Sequence, residues 1–197
     1  MTRHSRRVDI ANMALPILKG PFTAESFQQL AQLGILREDE RVELIDGQVV
    51  EMTPIGERHA ACVRRVAHHL SHVLRDVAIV DVQNPLVLDG HHVPQPDLMV
   101  LEPRADLYPS HPQAADTLLV VEVADTSLAY DRNVKLPLYA RAGIPEAWLV
   151  DLPAALIWAC REPAGDTYTN VRAVSRGDTI SPLRFPDVTL SIADILG

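Results

Sequence analysis

Three ionisable side chains in the middle of the chain stand where a divalent metal site could form. Asp97 follows Pro96 at the opening of a predicted strand. Glu122 sits inside the apolar run Leu118–Val123, and Lys135 comes shortly after that run. An ionised side chain is costly to bury in an apolar strand unless it is paired or bound to a metal. Two converging carboxylates can hold Mg²⁺ and a water beside a phosphodiester, while an ammonium group stabilises the charge developing there. The pattern indicates metal-dependent hydrolysis of nucleic acid.

Each of these residues also has a purely structural interpretation. Asp97 could cap the turn after Pro96, Glu122 could pair with an arginine, and Lys135 could be a solvated helix lysine. For Glu122 this interpretation is the weakest, because four apolar residues precede it directly. The functional interpretation is favoured for all three.

Glu43 is a third candidate ligand for the metal. It stands between Val42 and Leu44 on a predicted strand, so its side chain points to the face opposite theirs. It either joins the carboxylates of the metal site or faces water on an edge hairpin.

The roles of three further residues stay open. His59 either contacts phosphate or is a histidine of the core. Asp131 either pairs with Lys135 or caps a helix, and Tyr139 could pack beneath Lys135. The sequence does not assign a catalytic role to any of them.

The elements that must position these side chains follow from apolar periodicity and turn residues. An Asp46-Gly47 pair between two β-rich runs is a strong hairpin signal. Pro137 would clash with the carbonyl of Asn133 inside a helix, so the helix carrying Lys135 is predicted to begin near Asn133, or else to be kinked. The predicted helices are Ala24–Leu33, Arg58–Arg75, Asn133–Ala142 and a short closing helix capped by Ser191; the predicted strands are two around Asp46-Gly47, Ala78–Val82, Leu86–Leu88, Pro96–Leu101, Leu118–Val123, Ala147–Asp151, Leu156–Cys160 and Tyr168–Val174.

Size and composition place limits on the function. A chain of 197 residues with 47% hydrophobic residues is typical of one globular domain, predicted over residues 21–197 after a flexible arm over 1–20. Neither a signal peptide nor a transmembrane segment is expected, which favours the cytoplasm and excludes a membrane partner. The net charge of −8 argues against a general nucleic-acid binder, so DNA binding is expected to be weak without metal.

The order of these residues resembles the PD-(D/E)xK, restriction-endonuclease-like superfamily, and within it the Uma-two family of proposed bacterial endonucleases. The resemblance covers roughly Ala24 to Leu196. It is carried by the stretches Val42–Gly47, Pro96–Val100, Val120–Val123, Tyr130–Leu136, Tyr139–Gly143 and Glu146–Asp151. It implies an α/β (α+β) fold with a restriction-endonuclease-like core, in which helices flank a mixed β-sheet. It also implies a Mg²⁺-dependent endodeoxyribonuclease (Mn²⁺ as an alternative metal), with DNA as substrate and a homodimer as a plausible assembly.

One position departs from the superfamily pattern. The lysine two residues after the acidic residue is replaced by Ala124. The Uma-two family is similar in this respect and uses a lysine displaced to the following helix, which here is Lys135. The resemblance thus implies catalytic Asp97, Glu122 and Lys135, and a metal held by Asp97, Glu122 and Glu43. The rival hypothesis is a non-catalytic nucleic-acid-binding or assembly module with the same fold.

Overall fold

Helices separate short runs of consecutive strands along the chain. The structure, a computed structural model, describes residues 16–18, 20–37 and 40–197. In chain order the strands are β1 Pro16–Leu18, β2 Val42–Ile45, β3 Gln48–Glu51, β4 Ile79–Val82, β5 Leu98–Leu101, β6 Thr117–Ala124, β7 Glu146–Asp151, β8 Leu156–Ala164, β9 Thr167–Ser175, β10 Thr179–Ile180 and β11 Leu190–Ser191. The helices are α1 Ala24–Gln32, α2 Glu57–Leu74, a 3₁₀ turn Ala114–Asp116, α3 Leu128–Tyr130, a π-helical segment Asp131–Lys135, α4 Leu136–Arg141 and α5 Ile192–Leu196.

A mixed sheet of six strands forms the centre, in the order β4-β5-β6-β7-β8-β9. β6 and β7 run parallel, and the other neighbouring pairs in this sheet are antiparallel. The helical stretch from α3 to α4 connects the parallel pair, as such a crossover requires. The predicted fold, a mixed sheet flanked by helices, is confirmed.

The two faces of this sheet bury different partners because side chains alternate along each strand. Leu119 and Val121 of β6 pack in one core with Val66 and Leu70 of α2. Val120, on the opposite face, packs in a second core with Tyr139 and Ala140 of α4. Glu122 and Ala124 share the face of Val120, so the two-residue period directs Glu122 toward α4.

A small antiparallel sheet, β1-β3-β2, lies against the π-helical segment and α4. Its β2–β3 turn is confirmed at Asp46 and Gly47, whose φ angles of 50° and 70° match a hairpin turn with both central residues left-handed. Ile45 and Val50 pack on Val134 and Leu138. Glu43 shares the face of Ile45 through the strand period, so this packing carries Glu43 to the helical stretch.

The helix that carries Lys135 begins earlier than predicted. Helical structure starts at Leu128 rather than near Asn133, and Lys135 therefore does not lie in a first turn. Lys135 ends the π-helical segment, in which the Leu136 amide donates to the Asp131 carbonyl five residues back. Pro137 lies directly after the π-helical segment, at the start of α4. The π segment accommodates the proline that the sequence pattern treated as a helix start.

Several other predictions fall near the observed boundaries. The strand predicted over Leu86–Leu88 does not form. Instead, Val87 makes an isolated bridge with Gln113. Pro96 and Asp97 precede β5, which begins at Leu98. The closing helix follows Ser191 as predicted, although the Ser191 side chain makes no capping hydrogen bond.

Most of the predicted N-terminal arm lies outside the described residues, which within it comprise 16–18 and 20. Residues Pro16–Leu18 pair with β3. Within the described chain, no helix combines the length and the apolar character needed to cross a membrane.

Candidate active site

A cavity of about 170 Å³, lined mainly by residues with charged or polar side chains, lies beside the ends of β5 and β6. All the residues singled out from the sequence for chemistry, except Tyr139, line it. They are Glu43, His59, Asp97, Glu122, Asp131 and Lys135. The chain therefore brings together side chains from β2, α2, the start of β5, β6 and the π-helical segment. The candidate metal ligands and the candidate lysine therefore share one cavity.

The register of β5 and β6 explains why Asp97 lies near Glu122. Leu98 pairs with Val121 in the antiparallel ladder, so the next residues outward are Asp97 on one side and Glu122 on the other. Residues that lie opposite each other in an antiparallel pair have Cβ atoms about 4.5–5.5 Å apart. The two acidic residues thus belong to adjacent positions at one end of the sheet.

Both carboxylate oxygens of Asp97 accept hydrogen bonds. Oδ2 accepts from His59 Nε2 and from the Val123 amide, each at 2.9 Å, and Oδ1 accepts from Gln83 Nε2 at 3.1 Å. Burial is the largest influence on this group and opposes its ionisation. The bond and charge of His59, the charge of Lys135 and the Val123 amide together outweigh burial, so the pKa of Asp97 is lowered. Asp97 is therefore held as a carboxylate.

Glu122 is buried more completely, with 3% of its side chain exposed. Its Oε1 accepts from the Tyr139 hydroxyl at 2.5 Å and lies 3.2 Å from Lys135 Nζ. Burial raises the pKa of Glu122 well above its usual range, and nearby Asp131 and Asp97 add to this effect, while the Lys135 charge opposes it. A second cation near Glu122 would favour its ionised form.

Glu43 does not face water. Its side chain is 1% exposed, and Oε1 lies 2.7 Å from Lys135 Nζ. The same oxygen accepts from the Gln95 amide at 2.8 Å, while Oε2 accepts from the Tyr130 hydroxyl at 3.2 Å. The sequence left open whether Glu43 lies beside the other carboxylates or faces water. The structure places it inside the acidic cavity.

Lys135 joins the two carboxylates. Its ammonium contacts Glu43 and Glu122 and also donates to the Gln95 carbonyl at 3.3 Å, with 4% of its side chain exposed. Burial alone would favour the neutral amine, but Glu122 and Glu43 raise the pKa of Lys135 well above its usual value. Lys135 therefore stays protonated and acts as a fixed positive charge.

The helical stretch presents Ser127, Asp131, Lys135 and Tyr139 at a constant spacing of four residues. In an α-helix each such step advances by roughly 40° around the axis, so the row would drift away from the site. A π-helical turn contains more than four residues, so the four-residue step from Asp131 to Lys135 covers less than one full turn. This step therefore offsets the drift of the row around the helix axis. The π-helical segment thus keeps the row directed at one region.

Asp131 and His59 are also resolved by the structure. Asp131 is 3% exposed, and its Oδ2 accepts from Ser127 Oγ at 2.6 Å. Burial raises the pKa of Asp131 to about 6, against the lowering effects of Lys135 and the Ser127 bond. His59 contacts Asp97, and its Nδ1 is buried without a hydrogen-bond partner among the described residues.

The donor chemistry of the cavity suits a hard divalent cation. Asp97 and Glu122 offer carboxylate oxygens at adjacent positions, and Mg²⁺ is usually bound by one or two carboxylates together with waters and substrate oxygens. Across residues 16–18, 20–37 and 40–197, no group of three or more His, Cys, Asp or Glu side chains is arranged to hold a metal. The Lys135 ammonium contacts Glu43 and Glu122 directly. The residues therefore fit a cation bound mainly by Asp97 and Glu122, completed by water or phosphate oxygens.

Sequence reasoning missed three residues that organise the site. Gln95 contacts both Glu43 and Lys135 through its backbone, Tyr130 binds Glu43, and Gln83 binds Asp97. A signal existed for Gln95, because it lies between two prolines directly before Asp97. Gln83 carried none, since its contact depends on the β4–β5 pairing.

Comparison with known proteins agrees with this architecture. The Uma2 model, described as "Putative restriction endonuclease", matches residues 24–193. The chain belongs to the Uma2 family. A Uma2 assignment accords with the Uma-two resemblance seen in the sequence, and the family's description makes a nuclease the expected class of enzyme. No curated protein matches the chain.

The Uma2 fold of this chain also has a counterpart among solved structures. A crystal structure described as "a putative nuclease belonging to DUF820 from Anabaena variabilis ATCC 29413" superposes with a TM-score of 0.73. The match covers 89% of this chain and 98% of that one, at 16% sequence identity. At this identity the likeness shows the shared fold.

Proposed function

We propose that the protein is a metal-dependent endonuclease that hydrolyses phosphodiester bonds of DNA in the cavity described above. The observation that carries the proposal is the placement of Asp97, Glu122 and Lys135 on one cavity, in a chain of the Uma2 family. Buried acidic groups beside a fixed cation are costly to maintain, and such perturbed groups cluster at functional sites.

In this proposal Asp97 and Glu122, with Glu43 beside them, hold Mg²⁺ or Mn²⁺. When bound, the metal lowers the pKa of a water and neutralises charge on the phosphoryl oxygens. Asp97 is suited to this role because His59, Gln83 and the Val123 amide hold it in one orientation as a carboxylate. Tyr139 similarly orients Glu122.

Lys135 supplies positive charge at the position that Ala124 leaves without a lysine. Its raised pKa excludes it as the proton acceptor at neutral pH, since Glu122 and Glu43 keep it protonated. An ammonium fixed before the reaction stabilises negative charge as it develops on the phosphoryl group. In this role Lys135 would act as the displaced lysine that the resemblance to the Uma-two family implies.

One observation favours the alternative of a non-catalytic nucleic-acid-binding or assembly module. Lys135 already compensates Glu43 and Glu122, and in the part of the chain described here no three-ligand metal cluster is assembled. A site of this kind is complete as an internal ion-pair network. The alternative predicts that metal does not promote cleavage of any DNA.

Nuclease assays on single- and double-stranded DNA test the proposal. We expect the wild type to cleave with Mg²⁺ or Mn²⁺ and not with EDTA. Asp97→Ala should lower the rate by more than about a hundredfold, because even groups that only support metal ligands contribute about 10–100-fold. Asp187→Ala is the matched control, since Asp187 also follows a proline but is exposed outside the cavity.

The outcomes separate the two hypotheses. Equal rates for Asp97→Ala and Asp187→Ala would remove Asp97 from the reaction. A folded wild type that is inactive on both forms of DNA with both metals would favour the binding module.

A further inference from the structure

The cavity carries more negative than positive side chains. The acidic residues that line it are Glu43, Glu51, Asp97, Glu122, Asp125 and Asp131. The basic residues that line it are Arg41, His59 and Lys135. A DNA phosphate brings further negative charge, so its approach requires a cationic group that is not already committed to a carboxylate.

Two of the three basic side chains already contact carboxylates. Lys135 contacts Glu43 at 2.7 Å and Glu122 at 3.2 Å. His59 contacts Asp97 at 2.9 Å. Both side chains are largely buried against these carboxylates, so neither can turn to a phosphate without leaving a carboxylate without its partner.

Arg41 differs from them. It precedes β2 and lies at the wall of the cavity formed by the β2–β3 hairpin, partly exposed to solvent. Its Nη1 donates to the Thr53 carbonyl at 3.2 Å, and no carboxylate among the described residues lies within ion-pair distance of its guanidinium. A guanidinium has five N–H donors, so most of them stay available.

We propose that Arg41 binds a phosphate of the DNA strand that enters the cavity. The inference rests on the proposed function, because it takes DNA as the occupant of this site. A planar guanidinium pairs with two phosphate oxygens at once, which fixes the register of a backbone more firmly than a point charge does. The bond to Thr53 holds the side chain at the wall before the phosphate arrives, which lowers the entropy lost on binding.

In this proposal Arg41 is a substrate-binding residue, and its loss weakens the affinity for DNA. The structural alternative is that Arg41 only braces the end of the hairpin through Thr53. The two interpretations differ in salt dependence. Each phosphate contact to duplex DNA contributes about 0.9 to the slope of log K against log salt concentration, whereas a bracing hydrogen bond contributes nothing to that slope.

The test is fluorescence anisotropy with a labelled duplex oligonucleotide across a salt series, with Ca²⁺ as the divalent cation. The variants are Arg41→Gln, Arg41→Lys and the control Arg172→Gln, which removes the same charge from an exposed position on β9. We expect Arg41→Gln to raise the Kd roughly tenfold and to reduce the magnitude of the salt slope by about 1. Arg41→Lys should restore the slope but only part of the affinity, and Arg172→Gln should match the wild type.

Two results would overturn the inference. One is an Arg41→Gln variant whose Kd and salt slope equal those of Arg172→Gln. The other is a wild type that does not bind the duplex at all. Cleavage is measured in parallel with Mg²⁺: a wild type that binds through Arg41 but does not cleave would refute the nuclease proposal and leave the role of Arg41 supported.

Discussion

Replacing Lys135 with methionine tests whether its ammonium holds the acidic cavity together. Nζ lies 2.7 Å from Glu43 and 3.2 Å from Glu122, and none of the three side chains is more than 4% exposed. Methionine keeps an unbranched, flexible chain but carries no charge. Two buried carboxylates would then lose their cation, and removal of one partner from a buried ion pair costs about 3–5 kcal/mol.

The remaining donors set where in this range the loss should fall. The Gln95 amide and Tyr130 still donate to Glu43, and Tyr139 still donates to Glu122. We therefore expect the free energy of unfolding to fall by about 3 kcal/mol, near the lower end of that range. For a chain of this size the fall corresponds to a Tm lower by roughly 6–12 °C.

The loss should depend on pH in a defined direction. Burial already raises the pKa of Glu122 above its unfolded value, and removal of Lys135 takes away the opposing charge. A carboxyl whose folded pKa is raised stabilises the fold when protonated, and this contribution is lost as the pH rises through the folded pKa. The deficit of Lys135→Met should accordingly be larger at pH 8 than at pH 5.

Urea unfolding followed by circular dichroism, without metal and at both pH values, measures the effect. In the Lys135→Met background, adding Glu43→Gln removes one uncompensated charge and should recover part of the stability. A loss under about 1 kcal/mol, as for an exposed ion pair, would refute the reasoning. So would a loss that is equal at the two pH values, or a double variant less stable than Lys135→Met.

Two further predictions concern metal and pH. Mg²⁺ or Mn²⁺ at millimolar concentration should raise the Tm of the wild type, and Glu122→Gln should reduce the rise because a cation relieves repulsion between the clustered carboxylates; equal rises in thermal melts would place the cation elsewhere. Asp131→Asn should become more stable relative to the wild type between about pH 4 and about pH 7, because the pKa of Asp131 is raised from 3.8 to about 6 and the stability given by its proton is lost as the pH rises from the lower value through the higher one. About 2 pKa units at about 1.36 kcal/mol each limit this gain to about 3 kcal/mol, and urea midpoints that stay parallel across the interval would contradict it.

The sequence was sufficient for features that depend on a few neighbouring residues. Asp46-Gly47 closes the β2–β3 hairpin as predicted, and Thr23, a residue type common at helix starts, caps α1. The apolar run around Glu122 forms a buried central strand, and the helix predicted over Arg58–Arg75 is observed as α2, Glu57–Leu74. Turn chemistry, capping and alternation act over a short range, so the chain itself records them.

The form of the helix around Lys135 is not determined by its local sequence. Pro137 correctly signalled an obstacle to a regular α-helix, but the sequence offered a helix start and a kink as its resolutions. The structure instead uses a π-helical segment from Asp131 to Lys135, preceded by α3. Local propensity does not decide between these solutions, because their difference depends on which face the rest of the fold buries.

The composition of the acidic cavity was decided by tertiary structure. The sequence identified Asp97, Glu122 and Lys135 by type, yet it left Glu43 between solvent and the site. Glu43 became buried because its hairpin packs on the helical stretch from Asp131 to Arg141, and its partner Tyr130 is 87 residues away in the chain. Side-chain alternation determined which way Glu43 points on its strand. What lies on that side is a property of long-range packing, which no local pattern contains.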